Sequence, residues 1–153
     1  MTRAELASKY FKEGYACSQS VALAFYDLTG IEFDVLQKMV LPFGGGFGRL
    51  RLTCGAVSSI SMIASILMSK SDDIKENKTY IYEIVQDLVE RFEKEYKTIS
   101  CKELLENAGV EAVIGGEPET RTEEYYKKRP CEKIVVVATQ ILENYLIEKG
   151  IIK

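Results

Sequence analysis

The segment from Thr53 to Lys70, TCGAVSSISMIASILMSK, is apolar on nearly every side of a helix. A helix without a polar face has to be surrounded by other parts of the chain, so this segment predicts the central buried helix of the domain. Elsewhere apolar residues recur at helical spacing, and no run shows the strict alternation of a half-buried strand. The pattern therefore predicts an all-α fold, a compact bundle of about five to seven helices.

The surrounding helices are predicted from the same periodicity and from residues that start and stop helices. The longest is expected over Asp72–Lys97, with a core stripe of Ile74, Ile81, Ile84, Val85, Leu88, Val89 and Phe92. The others are expected over Arg3–Glu13, Cys17–Leu28, Phe33–Leu41, the short segment SCKELLEN and Cys131–Lys149, with a loop over Ala108–Arg121. The run IVVVATQIL in the last helix would also suit a strand because its residues are β-branched.

Length and charge narrow the class of protein. A chain of 153 residues without a repeat or linker fits one domain over residues 1–153. Its 20 basic and 23 acidic residues are interspersed, which argues against a nucleic-acid surface. No apolar run approaches the length of about 18 residues that a membrane span needs, and the opening MTRAELASKYFKEG lacks the apolar core of a signal peptide. We therefore expect a cytoplasmic protein with reduced thiols.

The four cysteines are Cys17, Cys54, Cys101 and Cys131, and no pair has the close spacing of a zinc ribbon or a thioredoxin motif. All four fall at or near the start of a predicted helix; Cys54 follows a candidate N-cap threonine, and Cys101 follows the capping box formed by Ser100 and Glu103. A helix start stabilises a thiolate and lowers a cysteine pKa from about 8.5 toward 7. Four buried structural cysteines would have no reason to share this position.

The sequence has no histidine, which removes Cys-His and Ser-His-Asp catalysis and histidine metal ligands. A metal site would have to use cysteines, carboxylates or carbonyls.

A glycine-rich loop precedes Cys54. It contains Gly44, Gly45, Gly46 and Gly48, and Gly55 follows the cysteine directly. The loop lacks the third glycine of a dinucleotide fingerprint and the G-K-[ST] ending of a P-loop. It is either a surface turn or a nest of backbone N–H groups that donate to sulfur and tolerate close approach. Arg49 and Arg51 either offset thiolate or cluster charge there or steady the loop as ordinary exposed residues.

The chain resembles the prokaryotic C_GCAxxG_C_C family of redox-active proteins, which is named for a C…CGAxxG…C…C pattern. The resemblance lies in the order of Cys17, the segment GGGFGR, the segment CGAVSS, Cys101 and Cys131. The resemblance covers almost the whole chain and falls on Cys17, Cys54, Gly55, Ala56, Cys101 and Cys131. Ser59 stands where that pattern has glycine. The resemblance implies redox activity and a redox partner protein of a transporter-associated system.

Three functions remain open. The first is a redox protein in which the four cysteines converge, with the glycine loop beside them, and bind an iron–sulfur cluster, with [2Fe–2S] favoured and four-cysteine zinc less so. The second is a thiol–disulfide oxidoreductase or sensor without a cofactor, with Cys54 attacking and Cys17 or Cys131 resolving. The third is a helical interaction module with incidental cysteines. A basic-aromatic patch precedes Cys131 and is interpreted as a solvated helix face or a docking edge; it comprises Tyr125, Tyr126, Lys127, Lys128 and Arg129.

Overall fold

Residues 55–68 form the helix around which the rest of the chain packs. The computed structural model describes residues 1–153 and contains nine α-helices and no strand. The helices are α1 Arg3–Lys12, α2 Cys17–Leu23, α3 Tyr26–Thr29, α4 Phe33–Val40, α5 Gly55–Met68, α6 Ile74–Tyr96, α7 Cys101–Asn107, α8 Glu123–Lys128 and α9 Cys131–Glu148. The predicted all-α class is confirmed, and the predicted number of five to seven helices is too low.

The central helix α5 has no exposed residue. It contacts α2, α3, α6 and α9, and Ile60, Ile63 and Ala64 are fully buried in a single hydrophobic core. The segment IVVVATQIL belongs to α9, where its side chains at helical spacing, among them Val135, Ala138 and Leu142, face the same core. Burial on one face therefore decides in favour of a helix despite the β-branched residues.

The predicted second helix is divided between α2 and α3. The backbone N–H groups of Ala24 and Phe25 bond three residues back rather than four, and Phe25 leaves the helical region at φ −113° and ψ 11°. Arg3 Nη1 donates to the carbonyl of Ala24 at 2.8 Å, and its guanidinium lies 5.2 Å from the centre of the buried Phe25 ring. A side chain from α1 thus stabilises the break, which no periodicity could indicate.

The long helix α6 matches its prediction closely. Asp73 caps it by accepting the backbone N–H of Glu76 at 2.9 Å, and Ile84, Leu88 and Phe92 are buried. Ile74 departs from the predicted core stripe: it is 81% exposed, because the first turn of α6 projects beyond the core. None of the nine helices is both long and apolar enough to cross a bilayer.

Between α4 and α5 the chain tightens into a short 3₁₀ turn over Leu41–Phe43 and then passes through the glycine loop. Gly45, Gly46 and Gly48 take left-handed φ values of 66°, 69° and 60°. From the loop the chain runs through residues 49–53 to Cys54 at the start of α5.

Candidate functional site: a cavity lined by four cysteines

All four cysteines line one cavity of about 340 Å³. Three of them are the first residues of helices, Cys17 of α2, Cys101 of α7 and Cys131 of α9. Cys54 is itself the N-cap of α5, a position that the sequence had suggested for Thr53. Cys54 is buried, the other three are half-buried, and all four are free thiols. Since the cysteines are distant in sequence, only the packing of four helix starts brings them to this cavity.

Backbone hydrogen bonds hold two of these helix starts side by side. The N–H of Cys54 donates to Ile99 O at 2.7 Å, and the N–H of Cys101 donates to Leu52 O at 2.6 Å. This antiparallel pairing joins the segment before α5 to the segment before α7. The positions of Cys54 and Cys101 are therefore coupled through the main chain.

The predicted capping box at α7 is half formed. Ser100 Oγ accepts the backbone N–H of Glu103 at 3.2 Å, as expected for a capping serine. The backbone N–H of Ser100 is bonded to Thr98 Oγ1 at 3.0 Å instead of to the Glu103 side chain. The helix start that carries Cys101 is thus fixed from both sides.

Several glycines stand where a side chain would collide with the site. A Cβ added at Gly46 would lie 2.5 Å from Cys101 Cβ, and one at Gly55 would lie 2.8 Å from Cys17 Sγ. At Gly44 it would lie 2.8 Å from the Cβ of Ala16, the residue before Cys17. Gly48 is different, because nothing lies within 4 Å and only its positive φ selects glycine. Lack of space therefore explains Gly55, where an added Cβ would also lie 2.6 Å from Phe43 O, and it contributes together with a positive φ of 69° at Gly46.

The predicted lowering of the cysteine pKa values is wrong for three of the four thiols. Burial raises the pKa of Cys17, raises that of Cys54 strongly and raises that of Cys131 to about 12. The backbone N–H of Gly45 opposes the rise in the pKa of Cys17, and the N–H groups of Ala56 and Val57 do so for the pKa of Cys54. Backbone N–H groups of the glycine loop and of the start of α5 thus act in the expected direction, but desolvation outweighs them.

Four arginines line the cavity: Arg49, Arg51, Arg121 and Arg129. The only carboxylate in the lining is that of Glu119. Arg51, one of the two arginines singled out from the sequence, donates from Nη1 to Cys101 Sγ at 3.7 Å and from Nε to Val113 O at 2.9 Å. It is only 6% exposed, so it is not an ordinary surface arginine. A cation therefore lies directly against one of the thiols.

No sequence motif marks Arg121, which the fold brings to the cavity from the loop before α8. Its two Nη atoms donate to Phe11 O at 2.9 Å and to Tyr15 O at 3.1 Å. Its guanidinium lies 4.3 Å from the centre of the Phe11 ring and 5.0 Å from that of Tyr125. These partners come from α1, the turn that follows it and α8, which explains why no local motif marks the residue.

The basic-aromatic patch does not form one surface. Tyr125 and Arg129 line the cavity, and Tyr126 packs edge-on against Phe11. Lys127 and Lys128 are exposed. The predicted solvated face therefore holds only for the two lysines.

The serine that replaces the glycine of the family pattern is accommodated. Ser59 is fully buried, and its Oγ donates to Ser18 O at 2.7 Å. This bond ties α5 to α2 one residue after Cys17. The hydroxyl thus has a partner where a glycine would have allowed simple contact.

No group of three or more His, Cys, Asp or Glu side chains is close enough to hold a single metal ion. The four thiols therefore do not meet at one point as the ligands of a single ion would.

A comparison with protein-family models matches residues 15–145 to the family described as "Putative redox-active protein (C_GCAxxG_C_C)". The match covers well over half of the chain and includes all four cysteines and the glycine loop. Searches of curated proteins and of solved structures returned no match.

Proposed function

The chain belongs to the C_GCAxxG_C_C family of redox-active proteins, and on that premise we propose that its four cysteines bind an iron–sulfur cluster for electron transfer or redox sensing. The observation that carries the proposal is that four cysteines from four different helix starts line one cavity. Complete cysteine ligation of a [2Fe–2S] cluster requires four thiolates. When bound, such a cluster would supply one-electron transfer.

The groups around the sulfurs suit a negatively charged occupant. The N–H of Gly45 favours the thiolate form of Cys17, and Arg51 Nη1 donates to Cys101 Sγ. Donors of this kind stabilise charge on cluster sulfurs and set reduction potentials. Gly46 and Gly55 keep side chains away from Cys101 and Cys17. The chain's own contribution is therefore to supply ligands, place N–H donors and restrict access of water.

A single zinc ion suits the arrangement less well than a cluster. Structural zinc needs four ligands at about 2.3 Å from one point, and no three candidate ligands approach that closely. A cluster with two irons tolerates sulfurs that are further apart. Four thiols that line one cavity without meeting at one point therefore suit [2Fe–2S] better than a single ion.

The alternative is thiol–disulfide chemistry without a cofactor. Two thiols would lose two protons and two electrons to an acceptor as a disulfide forms, and the presence of four free thiols at one cavity favours this reading. Cys54 was the predicted attacking residue, but it is only 6% exposed, so an external disulfide cannot easily reach it. This burial supports the cluster as the first choice. Either reaction needs a redox partner protein, and we propose that this partner belongs to a transporter-associated system.

The test is purification without oxygen, followed by measurement of iron, acid-labile sulfide and visible absorption. We expect iron and sulfide in equal amounts, and loss of both when any one of the cysteines is replaced by serine. Ser100→Ala is the matched control for Cys101→Ser, because it removes the cap of the same helix without removing a ligand. It should lower stability and keep the iron.

Protein that holds neither iron nor sulfide after anaerobic purification and reconstitution would contradict the cluster. A free-thiol count that then falls reversibly on oxidation would support the disulfide alternative. An unchanged thiol count would exclude both.

A further inference from the structure

The cysteine cavity carries more positive charge than its own residues neutralise. Of the arginines that line it, only Arg129 pairs with a carboxylate, that of Glu119. The remaining three, Arg49, Arg51 and Arg121, contact no Asp or Glu side chain. A buried or half-buried charge without a counter-charge is costly, so an excess of three cations at one cavity calls for an anion.

Neutral backbone carbonyls hold these arginines in place. Arg49 Nε donates to Gly115 O at 3.0 Å, and Arg51 Nε donates to Val113 O at 2.9 Å. Carbonyls fix the orientation of a guanidinium without cancelling its charge. These bonds leave both Nη atoms of Arg49 and Nη2 of Arg51 free to donate to a ligand.

The backbone is bent to place the two arginines. Arg49 and Arg51 have φ values of 65° and 59°, in the left-handed region that non-glycine residues rarely adopt. Gly45 lies directly against them, and a Cβ there would be 2.9 Å from Arg49 Cγ and 3.8 Å from Arg51 Nη1. Strain and a glycine are thus both needed to bring these cations to the cavity wall.

The cavity also has the size and lining of a small-molecule site. Its volume of about 340 Å³ falls in the range of roughly 300–1,000 Å³ that is typical of ligand pockets. Leu41, Leu104, Leu105 and Ile134 contribute to its walls. Apolar walls lower the local dielectric and strengthen the attraction between a guanidinium and an anion.

We propose that the cavity binds a small oxyanion, of the phosphate, sulfate or carboxylate class, beside the cysteines. Arg49 and Arg51 are its direct ligands, through charge-assisted hydrogen bonds, and Arg121 adds a fixed positive charge. The inference rests on the proposed function only in placing the ligand next to a redox centre. Anion binding itself is independent of whether that centre is a cluster or a pair of thiols.

The test is calorimetric titration with inorganic phosphate at constant ionic strength, on cluster-free and cluster-loaded protein whose iron content is measured in the same sample. We expect phosphate to bind both forms and Arg49→Gln to weaken binding at least about tenfold. Lys127→Gln is the matched control, since it removes an exposed charge from α8 and should change affinity by less than about twofold. Arg49→Lys should retain part of the affinity for phosphate. Arg51→Lys should also weaken phosphate binding.

Three results would overturn the proposal. Equal weakening by Arg49→Gln and Lys127→Gln would show a surface ion effect only. If phosphate bound neither the cluster-free nor the cluster-loaded form, the cavity would not be an oxyanion site. Binding to the cluster-free form alone would mean that the arginines serve only as counter-charge for the cluster. Because iron content is measured separately, a protein without iron that still binds phosphate through Arg49 would leave this inference standing while the cluster proposal fails.

Discussion

Arg91, between α6 and α9, and Arg51, at the cysteine cavity, show two ways of placing a guanidinium. Arg91 pairs with Asp87 at 3.1 Å and with Glu148 at 2.8 Å, and it lies 4.8 Å from the centre of the Tyr145 ring. Arg51 is more deeply buried, has a left-handed backbone and contacts a thiol but no carboxylate. Carboxylates therefore neutralise the guanidinium of Arg91, whereas no carboxylate contacts that of Arg51.

The same contrast appears in how each region tolerates side chains. In α6 the buried positions follow helical spacing, and the cap at Asp73 is local. At the cavity, Gly46 and Gly55 have no room for a side chain, in part because Cys101 and Cys17, which lie far away in sequence, are in contact with them. We infer that the bundle provides stability and that the cavity region uses some of it to maintain a strained, charged site.

The largest expected effect is that of Gly46→Ala. The new Cβ would lie 2.5 Å from Cys101 Cβ and would occupy a residue with φ of 69°. Left-handed alanine costs about 1–2 kcal/mol and overpacking about 1–3 kcal/mol, so the free energy of unfolding should fall by about 4 kcal/mol. Urea denaturation monitored by circular dichroism measures it.

Gly48→Ala is the matched control for that experiment. Gly48 has the same backbone region, with φ of 60°, but nothing lies within 4 Å of an added Cβ. Only the conformational cost of about 1–2 kcal/mol should remain. Equal losses for the two variants would mean that close packing against Cys101 does not explain the glycine.

Leu88→Ala tests the other side of the comparison. Leu88 is fully buried in α6, and its truncation should lower the free energy of unfolding by about 3 kcal/mol through lost burial and a cavity. Because α6 contributes no residue to the cysteine cavity, the iron bound per folded chain should not change if the proposed cluster is present. Exposed Glu90→Ala should shift stability by less than about 0.5 kcal/mol. Loss of iron in Leu88→Ala would show that the two regions are not separable.

The sequence indicates what is local and misses what depends on distant packing. Helical spacing was sufficient for α6, a segment apolar on nearly every side was sufficient for α5, and the residues before each cysteine indicated four helix starts. The break at Ala24 and Phe25 needed Arg3 from another helix, and it accounts for one of the two helices that the prediction missed. The other is the short α8, Glu123–Lys128. Sequence separation likewise hid the contact of Gly46 with Cys101.

The cysteine pKa values show the same limit on the electrostatic side. A helix start is a local feature, and it predicts a lowered pKa for each thiol. Burial depends on the whole fold, and it raises the pKa of Cys54 and Cys131 instead. Arg121 is a further example, because it reaches the cavity through contacts with Phe11 and Tyr15. Sequence alone could therefore give candidate residues but not the balance of forces among them.

A smaller effect is expected at the position where the chain departs from the family pattern. Ser59→Ala removes the hydrogen bond from Oγ to Ser18 O and should lower the free energy of unfolding by about 1 kcal/mol. Ser59→Gly restores the family residue but adds the helix cost of glycine, for a total of about 2 kcal/mol. Ser61→Ala is the control, since Ser61 Oγ bonds only within its own helix, to Val57 O. If Ser59→Gly raised the free energy of unfolding, the hydrogen bond of Ser59 to Ser18 O would not explain why serine is tolerated at this position.

The smallest expected effect is the pH dependence that Asp27 contributes to stability. Asp27 pairs with Arg3, whereas Arg49, Arg51 and Arg121 at the cavity contact no carboxylate. Arg3 donates to both its oxygens, at 2.7 and 3.0 Å, and this hydrogen bonding lowers the pKa of Asp27 below its ordinary value. A lowered folded-state pKa contributes stability that is present above the unfolded pKa of about 3.9 and is lost as pH falls through the folded value. Since Asp27 is 61% exposed, solvent screening limits the contribution to less than about 1 kcal/mol. Asp27→Asn should therefore be slightly less stable than the natural protein at pH 7 and equally stable near pH 2. Asp72→Asn is the control, because it removes a carboxylate without a salt-bridge partner. It should be as stable as the natural protein at both pH values. Thermal denaturation at the two pH values measures the difference, and a gap for Asp27→Asn that persists at low pH would mean that the residue acts through packing rather than through its charge.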